Sequence, residues 1–507
     1  MTRWKHGYYA DSGYTYGYYA ETMPSRLRWA ALVQGHEAPA AGFRYLDAGC
    51  GQGLSLILAA AAHPDSEFVG IDFLPEHIAH AAGLAQRCGL SNVQFIEGDF
   101  IELAKDPSSL GQFDYAVCHG ITTWIAPAVK QGLFSLIGQV LRPGGVFYNS
   151  YNTFPGWLAA VPFQHLVLLE QRSKTGALAL KAAQTSMERL KSHAAGMFGN
   201  LPGLAARLKT MESQDPAYLV QEYNNQFWQP VFVTQMMDDM AAVKLAYLGT
   251  ATLPEAFDGV LAKEVRELIA EQSVPAIREQ LRDYALNQGF RRDLYVKGQS
   301  RPWQAKQQDL VRAERFVANP LTARPAAGEP FVIKAGGLEL KGDAGFYARL
   351  LEQLDSPGGC TVGELIDTEP DAARRSSVAQ ALCMLLHGGW AMTMQVNSCE
   401  AAQRANIAFA ECRREGAPYN YIALPLAGGA MVAGDTDWFF LSAVQAGLAP
   451  PFWTDHVLQC LARLGRAPAK DGKAVTDPGE QKIIIDQAGT EFAQKKLPFL
   501  RAVGATT

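Results

Sequence analysis

The stretch Tyr45-Leu-Asp47-Ala-Gly49-Cys-Gly51-Gln-Gly53 decides the fold, because it places a glycine-rich turn between a predicted strand and a predicted helix. Residues 43–48 are typical of a buried strand, and residues 54–62 begin a helix. Glycines permit positive φ and allow a ligand to lie directly against the backbone. A strand, a glycine turn and a helix therefore predict the first unit of a parallel sheet that binds a ligand at its edge.

Four more β-rich runs follow, and helical segments separate them, which is the pattern of a parallel sheet covered by helices. The predicted second to fifth strands are residues 68–73, 93–100, 113–119 and 146–150, and two predicted helices are residues 75–88 and 128–141. The second helix ends before the run RPGG at residues 142–145, which no helix can continue through. Residues 244–249 and 290–297 suit a sixth and a seventh strand. The sequence thus predicts an α/β fold with a Rossmann-like sheet.

The rest of the chain divides into a terminal segment, an insertion, a linker and a second domain. Residues 1–42 are rich in tyrosine and predict a lid over a ligand site. Helical segments at about 157–230 predict an insertion within a sheet domain of residues 43–317. Residues 318–330 contain three prolines and predict a linker. Short helices followed by a strand then predict an α+β, winged-helix-like substrate or interaction domain over residues 331–507.

The spacing of the glycine turn favours S-adenosylmethionine over a dinucleotide. Leu54 stands where the dinucleotide fingerprint needs its third glycine, which disfavours a nicotinamide or flavin cofactor. S-adenosylmethionine carries no pyrophosphate, and its zwitterionic methionine group needs space and polar partners such as Asp47. We therefore expect S-adenosylmethionine as cofactor and S-adenosylhomocysteine as product.

Two further acids follow the second and third predicted strands at the same edge of the sheet. Asp72 is placed to accept hydrogen bonds from both ribose hydroxyls, and Asp99 from the adenine amino group. Either acid alone is also a common helix cap, but their shared register favours a ligand. An aromatic neighbour of each would pack on the adenine ring. The complete predicted cofactor set is Asp47, Gly49, Gly51, Gly53, Asp72, Phe73, Asp99, Phe100 and Gly120.

The segments after the fourth and fifth strands would overhang the reacting end of the cofactor. They contain His119, Tyr151 and Asn152, which we predict as the catalytic residues, with the last two orienting an amine. His119 would relay a proton or shape the pocket. Aromatic side chains there would build a channel for an amine, although aromatic residues more often pack in a core. The predicted substrate-contacting residues are Trp124, Trp157, Tyr16 and Tyr19.

Composition limits the partners and the compartment. The chain has 507 residues with 48% hydrophobic and 19% charged residues, which is ordinary globular composition for two or three domains. The net charge of -5 provides no overall attraction to nucleic acid or anionic lipid. The eight cysteines form no C-x-x-C pair, and no metal site is expected. The absence of a signal peptide or a long apolar stretch predicts a soluble cytoplasmic protein without membrane insertion.

These residues, with several longer motifs, resemble class I methyltransferases that carry a methyltransferase regulatory domain, notably bacterial outer-membrane-protein lysine methyltransferases. The resemblance covers about residues 14–297. It rests on Met23-Pro24-x-x-Leu27, His119-Gly120 with Trp124, the run SYNTFPGW at 150–157, the run EYNNQFWQPVF at 222–232, LAYLG at 245–249, Glu279-Gln280 with Asp283, and Phe290-Arg291. It implies methyl transfer to a protein lysine by in-line displacement. It also implies helical additions that mediate dimerisation, so a homodimer is expected.

Two other functions remain open on the residues alone. A small-molecule acceptor would keep the enzyme class and use the insertion and the second domain as lids. A non-catalytic regulatory or interaction protein would bind S-adenosylmethionine without transferring the methyl group.

Overall fold

The computed structural model describes residues 16–507 except 194–195, 299–300, 357 and 471–472, together with the backbone of 4–5 and 8–9, which pair as a short hairpin. The first large unit is a seven-stranded sheet in the order β3-β2-β1-β4-β5-β7-β6. Strand β7 is antiparallel to both of its neighbours, and the pairs from β3 to β5 are parallel. The strands are β1 Arg44–Ala48, β2 Glu67–Asp72, β3 Val93–Glu97, β4 Phe113–Cys118, β5 Leu141–Asn152, β6 Leu245–Thr250 and β7 Phe290–Lys297.

Helices cover both faces of this sheet, because consecutive strand residues point to opposite sides. In β1, Tyr45 packs in the core that contains Trp29, whereas Leu46 packs in the core that contains Leu133 and Met236. The helices of this unit are α1 Pro24–Val33, α2 Leu54–Ala62, α3 Pro75–Arg87, α4 Phe100–Lys105, α5 Pro127–Val140, α11 Val233–Ala242, α12 Lys263–Ala270, α13 Pro275–Leu286 and α14 Gln304–Ala313. The predicted Rossmann-like α/β sheet is confirmed.

The predicted helical insertion is also helical in the structure. Its helices are α6 Val161–Glu170, α7 Gly176–Ser192, α8 Gly196–Asn200, α9 Pro202–Met211 and α10 Pro216–Tyr223. They enclose an aromatic-rich core of their own, which also contains Trp124 and Trp157. The insertion therefore lies against the segments that follow β4 and β5.

Two sequence predictions about strand ends were wrong. The run at 142–145 lies inside β5, where Phe113 pairs with Leu141 and Tyr115 with Val146, so these residues form an irregularity in the strand. The third strand ends at Glu97, and Phe100 begins α4, because Asp99 caps that helix. Both errors arise from local hydrogen bonding that apolar patterning does not reveal.

Beyond residue 314 the chain forms a mixed α/β region. A three-stranded sheet in the order β11-β8-β12 precedes a second helical core that packs on α2. The strands are β8 Arg315–Ala318, β9 Phe331–Ala335, β10 Leu338–Gly342, β11 Cys360–Thr361, β12 Ala391–Met394, β13 Tyr421–Leu424, β14 Gly429–Val432, β15 Ala469–Lys470 and β16 Lys473–Ala474. The helices are α15 Ala344–Leu354, α16 Val362–Thr368, α17 Val378–His387, α18 Glu400–Arg414, α19 Asp435–Gln445, α20 Trp453–Arg463, α21 Pro478–Glu491 and α22 Leu497–Ala502. Within the described part of the chain, no helix has the length and apolar character needed to span a membrane.

Candidate cofactor and acceptor site

An opening lies at the carboxyl ends of β1, β2, β3 and β4, with an empty volume of about 1150 Å³ that is partly open to solvent. All nine residues of the predicted cofactor set line it. His119 and Tyr19, which we predicted for catalysis and substrate contact, line it as well. The remaining wall includes Gly17, Thr22, Ser55, His77, Ile121 and Ile125. The structure thus brings the three separate acidic and glycine segments to one rim.

The glycine turn is shaped so that side chains are excluded from it. Gly49, Gly51 and Gly53 have φ values of 88°, 53° and 78°, which L side chains rarely adopt. A Cβ at Gly49 would lie 1.8 Å from Ile121 Cδ1, and one at Gly53 would lie 2.5 Å from Ala81 Cβ. These glycines therefore offer bare backbone to a ligand, and a larger residue at Gly49 or Gly53 would displace the neighbouring side chains.

Asp72 holds the glycine turn against the end of β2. Its Oδ2 accepts a hydrogen bond from the Gly51 N–H at 3.0 Å, and its Oδ1 accepts one from the Leu74 N–H at 2.9 Å. Nδ1 of His77 lies 3.2 Å from the same Oδ1. His77 was not among the predicted site residues, and the only sequence signal for it is its place in the first turn of the helix that follows Asp72.

Asp47 lies near the end of β1, just before the glycine turn, and its surroundings disfavour a negative charge on its carboxyl group. Burial, and then the negative charge of Asp72, raise the pKa of the Asp47 carboxyl to about 7. A cationic ligand group beside Asp47 would reverse this effect, because an opposite charge favours the carboxylate.

Asp99 and its neighbours form the third part of the rim. Asp99 Oδ1 accepts a hydrogen bond from the Ile101 N–H at 2.8 Å, so this residue is the N-cap of α4. Phe73 and Phe100 both line the opening, and Phe100, which is 9% exposed, also packs in the sheet core. The capping role and the ligand role that we weighed for Asp99 are therefore compatible.

His119 closes the end of the opening that follows β4. Its Nδ1 lies 2.9 Å from the Tyr148 hydroxyl and 3.1 Å from Ser150 Oγ, and the Tyr19 ring stacks on it at a centroid distance of 3.9 Å. Burial, and then the charge of Arg292, lower the pKa of His119 to about 3. The imidazole is therefore neutral at physiological pH.

The N-terminal segment crosses the opening. The Tyr19 N–H donates to Ser55 Oγ at 3.0 Å, and Ser55 Oγ donates to the Gly17 carbonyl at 3.3 Å. The Tyr16 ring instead lies outside the opening, where its centroid is 5.1 Å from that of the His80 ring and 5.5 Å from that of the Tyr419 ring. Residues 1–15 of the predicted lid lie outside the described residues, apart from the backbone of 4–5 and 8–9.

The structure does not bring Tyr151 or Asn152 to the wall of the opening. The Tyr151 hydroxyl donates to Asp293 Oδ2 at 2.5 Å, within a buried network that includes Arg291. Asn152 Nδ2 donates to Glu222 Oε1 at 2.8 Å. Their catalytic roles stay predictions.

Trp124 and Trp157 lie in the aromatic core of the insertion. Trp157 contacts Trp228 edge-on at 5.4 Å, and the Arg207 guanidinium lies 3.4 Å above the Trp157 ring. Glu222 was not among the predicted site residues. The feature of the sequence that marks it is the polar run Glu222-Tyr-Asn-Asn225, and all four of these residues are buried in the structure. Among the described residues, no group of three or more His, Cys, Asp or Glu side chains is arranged to hold a metal ion.

Comparison with known protein families identifies two parts of the chain. Residues 39–200 match the family described as methyltransferase domain, and residues 215–297 match the predicted methyltransferase regulatory domain. The chain therefore contains a methyltransferase domain followed by a methyltransferase regulatory domain. The predicted class of enzyme and its cofactor, S-adenosylmethionine, are thereby confirmed, since the first match contains the glycine turn, Asp72 and Asp99.

Two relatives extend over almost the whole chain. An uncharacterised protein of Synechocystis is 29% identical over 513 residues, which cover 99% of each chain. PKMT2 from Rickettsia typhi, solved in complex with AdoHcy, superposes with a TM-score of 0.73 at 18% identity, covering 97% of this chain and 100% of that one. The fold of the methyltransferase, including its C-terminal region, is therefore shared with PKMT2.

Proposed function

We propose that this methyltransferase transfers the methyl group of S-adenosylmethionine to the side-chain amine of a protein lysine. One observation carries the proposal: the fold of PKMT2, whose abbreviation stands for protein lysine methyltransferase, extends over 97% of this chain. A methyltransferase domain alone is compatible with many acceptors, whereas the shared insertion and C-terminal region are the parts that would contact an acceptor. A fold shared at this length supports a shared acceptor class.

The opening fits the cofactor on features of this structure. The three glycines at positions 49, 51 and 53 leave room for the methionine group, and Asp47 would pair with its ammonium group. We assign Asp72 to the ribose hydroxyls and Asp99 to the adenine amino group, and both residues line the opening. When bound, S-adenosylmethionine supplies a methyl group on a sulfonium, which leaves as a neutral thioether.

The residues of the site would prepare the amine for in-line attack. Lysine reaches the site as an ammonium and must release a proton before its lone pair can form the bond to carbon. Neutral His119 adds no positive charge beside the sulfonium, and the positive charge of the sulfonium itself favours the uncharged amine, which releases its proton to solvent. Alignment of nitrogen, carbon and sulfur would supply much of the rate.

We also propose how the rest of the chain serves this reaction. Residues 43–317 would form the cofactor-binding domain with its insertion, residues 318–330 a linker, and residues 331–507 the domain that handles the protein substrate. The order helix, strand, helix, helix, strand from α15 to β12 supports a winged-helix-like arrangement within that domain.

A homodimer is proposed through the insertion, whose helices α6 and α7 carry exposed leucines. These include Leu169, Leu178 and Leu190, which are 38%, 61% and 46% exposed. Sedimentation of the wild type should give a dimer, and Leu178→Ser should shift it towards the monomer. A wild-type monomer at micromolar concentration would contradict this assignment.

Incubation with methyl-labelled S-adenosylmethionine and fractionated lysate tests the acceptor class. We expect the label in protein, and in lysine after hydrolysis. Label in small molecules would instead identify a metabolite enzyme, and cofactor binding without any transfer would identify a regulatory protein.

A further inference from the structure

A buried carboxylate lies where the insertion meets the end of β5. Glu222, in the last turn of α10, is 3% exposed. Its Oε1 accepts hydrogen bonds from Asn152 Nδ2 at 2.8 Å and from the Trp228 indole at 3.4 Å. Its Oε2 accepts one from the Tyr218 hydroxyl at 3.2 Å. Its three hydrogen-bond donors are an amide, a phenol and an indole, all of which are neutral. Among the described residues, Glu222 forms no ion pair within 4.0 Å.

This carboxylate is surrounded by the chemistry that binds an ammonium group. Trp228 and Trp157 belong to the same core, and aromatic faces attract cations while an acid pairs with their charge. Trp124 belongs to this core too, and its indole Nε1 is buried without a hydrogen-bond partner among the described residues. Burial raises the pKa of Glu222, and this effect outweighs its hydrogen bonds and the positive charge of Arg207, which lies beyond ion-pair distance and lowers the pKa.

Short contacts connect Glu222 to the cofactor opening. Ser150, two residues before Asn152 on β5, accepts a hydrogen bond from the Gly120 N–H at 2.8 Å, and Gly120 lines the opening. The Trp124 ring lies 3.6 Å from the place where a Cβ of Gly120 would be. Glu222 is therefore one hydrogen bond away from the strand that borders the reacting end of the opening.

Access from solvent runs past Tyr218. This residue is 42% exposed, and it lies one helical turn before Glu222 on α10. Its hydroxyl occupies the hydrogen-bonding position on Oε2 that an incoming amine would need. Tyr218 is therefore the most solvent-exposed of the three hydrogen-bond partners of Glu222.

We propose that Glu222 is the residue that binds the acceptor ammonium group, with Trp228 against its alkyl chain and Tyr218 as the removable cover, while the Trp157 ring is already covered by the Arg207 guanidinium. This inference rests on the proposed function for the identity of the acceptor. Its test does not, because n-butylamine, a mimic of the lysine side chain, can be used as probe.

The first experiment titrates n-butylamine into the protein with S-adenosylhomocysteine bound and follows tryptophan fluorescence and heat. Wild type should show saturable binding, and Glu222→Gln should weaken it at least about tenfold, since a charge-assisted contact is lost. Tyr218→Phe should bind the amine as well as or better than wild type. Glu212→Gln, an exposed glutamate in the same insertion, is the matched control and should not differ from wild type.

Affinity for S-adenosylhomocysteine and the thermal midpoint of each variant show whether it is folded. Equal n-butylamine affinity in wild type and folded Glu222→Gln would overturn the proposal, as would the absence of binding in both wild type and Tyr218→Phe. If Glu222→Gln does not fold, the Tyr218→Phe comparison decides the matter, and weaker binding there would overturn it.

A second readout uses the protein fraction that wild type labels. The acidic limb of kcat/KM for this acceptor should reflect ionisation of Glu222 and be lost in Glu222→Gln, a change that a merely structural role would not produce. An unaltered limb would overturn the proposal. If wild type labels no protein at all, the proposed function fails, while the n-butylamine titration still decides the role of Glu222.

Discussion

At the scale of single residues, Asp72 has the most direct test. Asp72→Ala and Asp72→Asn remove a charged acceptor from the ribose position and weaken the bonds to the glycine turn, so we expect cofactor affinity to fall at least about tenfold. Calorimetric titration of S-adenosylhomocysteine measures this. Asp65→Asn, an exposed aspartate just before β2, is the control and should bind normally. Wild-type affinity in both Asp72 variants would contradict the ribose assignment.

Asp47 leads to a prediction about pH. Its pKa of about 7 in the free protein should fall when a cationic ligand pairs with it, so binding below that pH releases a proton. Affinity for S-adenosylhomocysteine should therefore rise as the pH increases towards 7, by at most about tenfold per pH unit. Titration in buffers of different ionisation enthalpy counts the proton. Asp47→Asn should abolish this release, and an unchanged release would point to another group.

The site residues were predictable to different extents. Glycine spacing and acids at strand ends follow from backbone rules, so all nine predicted cofactor residues line the opening. Tyr151 and Asn152 were a harder case, because neighbouring strand residues point to opposite faces. The predicted substrate-contacting residues also lie in different places, since Tyr19 lines the opening and Trp157 packs in the core of the insertion. Glu222 was missed because Asn152, which connects it to the sheet, lies 70 residues away in the sequence.

At the scale of elements, the short helix α4 connects stability to cofactor binding. Asp99→Ala removes its N-cap and should cost about 1 kcal/mol of unfolding free energy. Asp99→Asn keeps a capping oxygen but places an amide donor towards the adenine, so it should keep stability and lose affinity. Chemical denaturation and calorimetry measure the two quantities. If both variants keep full affinity for the cofactor, Asp99 serves only as the N-cap of α4 and does not bind the adenine.

The elements of the sheet were predicted better than those of the C-terminal region. Strands β1 to β7 follow from β-rich runs and from turns that glycine and proline mark. Helix α18 packs on α2, and α19 to α22 share the same core, so these apolar faces depend on a surface that lies over 300 residues away in the sequence. Hairpin β9–β10 was missed as well, although Val332 and Ile333 in β9 and the two-residue turn Gly336-Gly337 mark it in the sequence.

At the scale of the whole molecule, buried neutral histidine should make the fold sensitive to acid. Burial lowers the pKa of His63 to about 4, where it packs against Phe43 and Phe68. A depressed folded-state pKa stabilises the fold above the unfolded value of about 6.5, and this contribution is lost as the pH falls from there to about 4. The expected slope is about 1.4 kcal/mol per pH unit for one proton.

Chemical denaturation across this range measures the slope, and His63→Gln should reduce it by up to one proton. His165→Gln, at an exposed position on α6, provides the control and should keep the wild-type slope. A slope that is the same in all three proteins would show that His63 titrates normally.

The central claim is that the rim formed by residues 47–53, Asp72 and Asp99 holds the methyl donor for a protein lysine. Mass spectrometry of acceptor proteins after reaction with trideuteromethyl S-adenosylmethionine tests it most directly. We expect deuterated methyl groups on lysine nitrogen with wild-type enzyme and a severe loss of them with Asp72→Ala. Deuterated methyl groups only on other residues or on metabolites, or undiminished lysine methylation by Asp72→Ala, would contradict it.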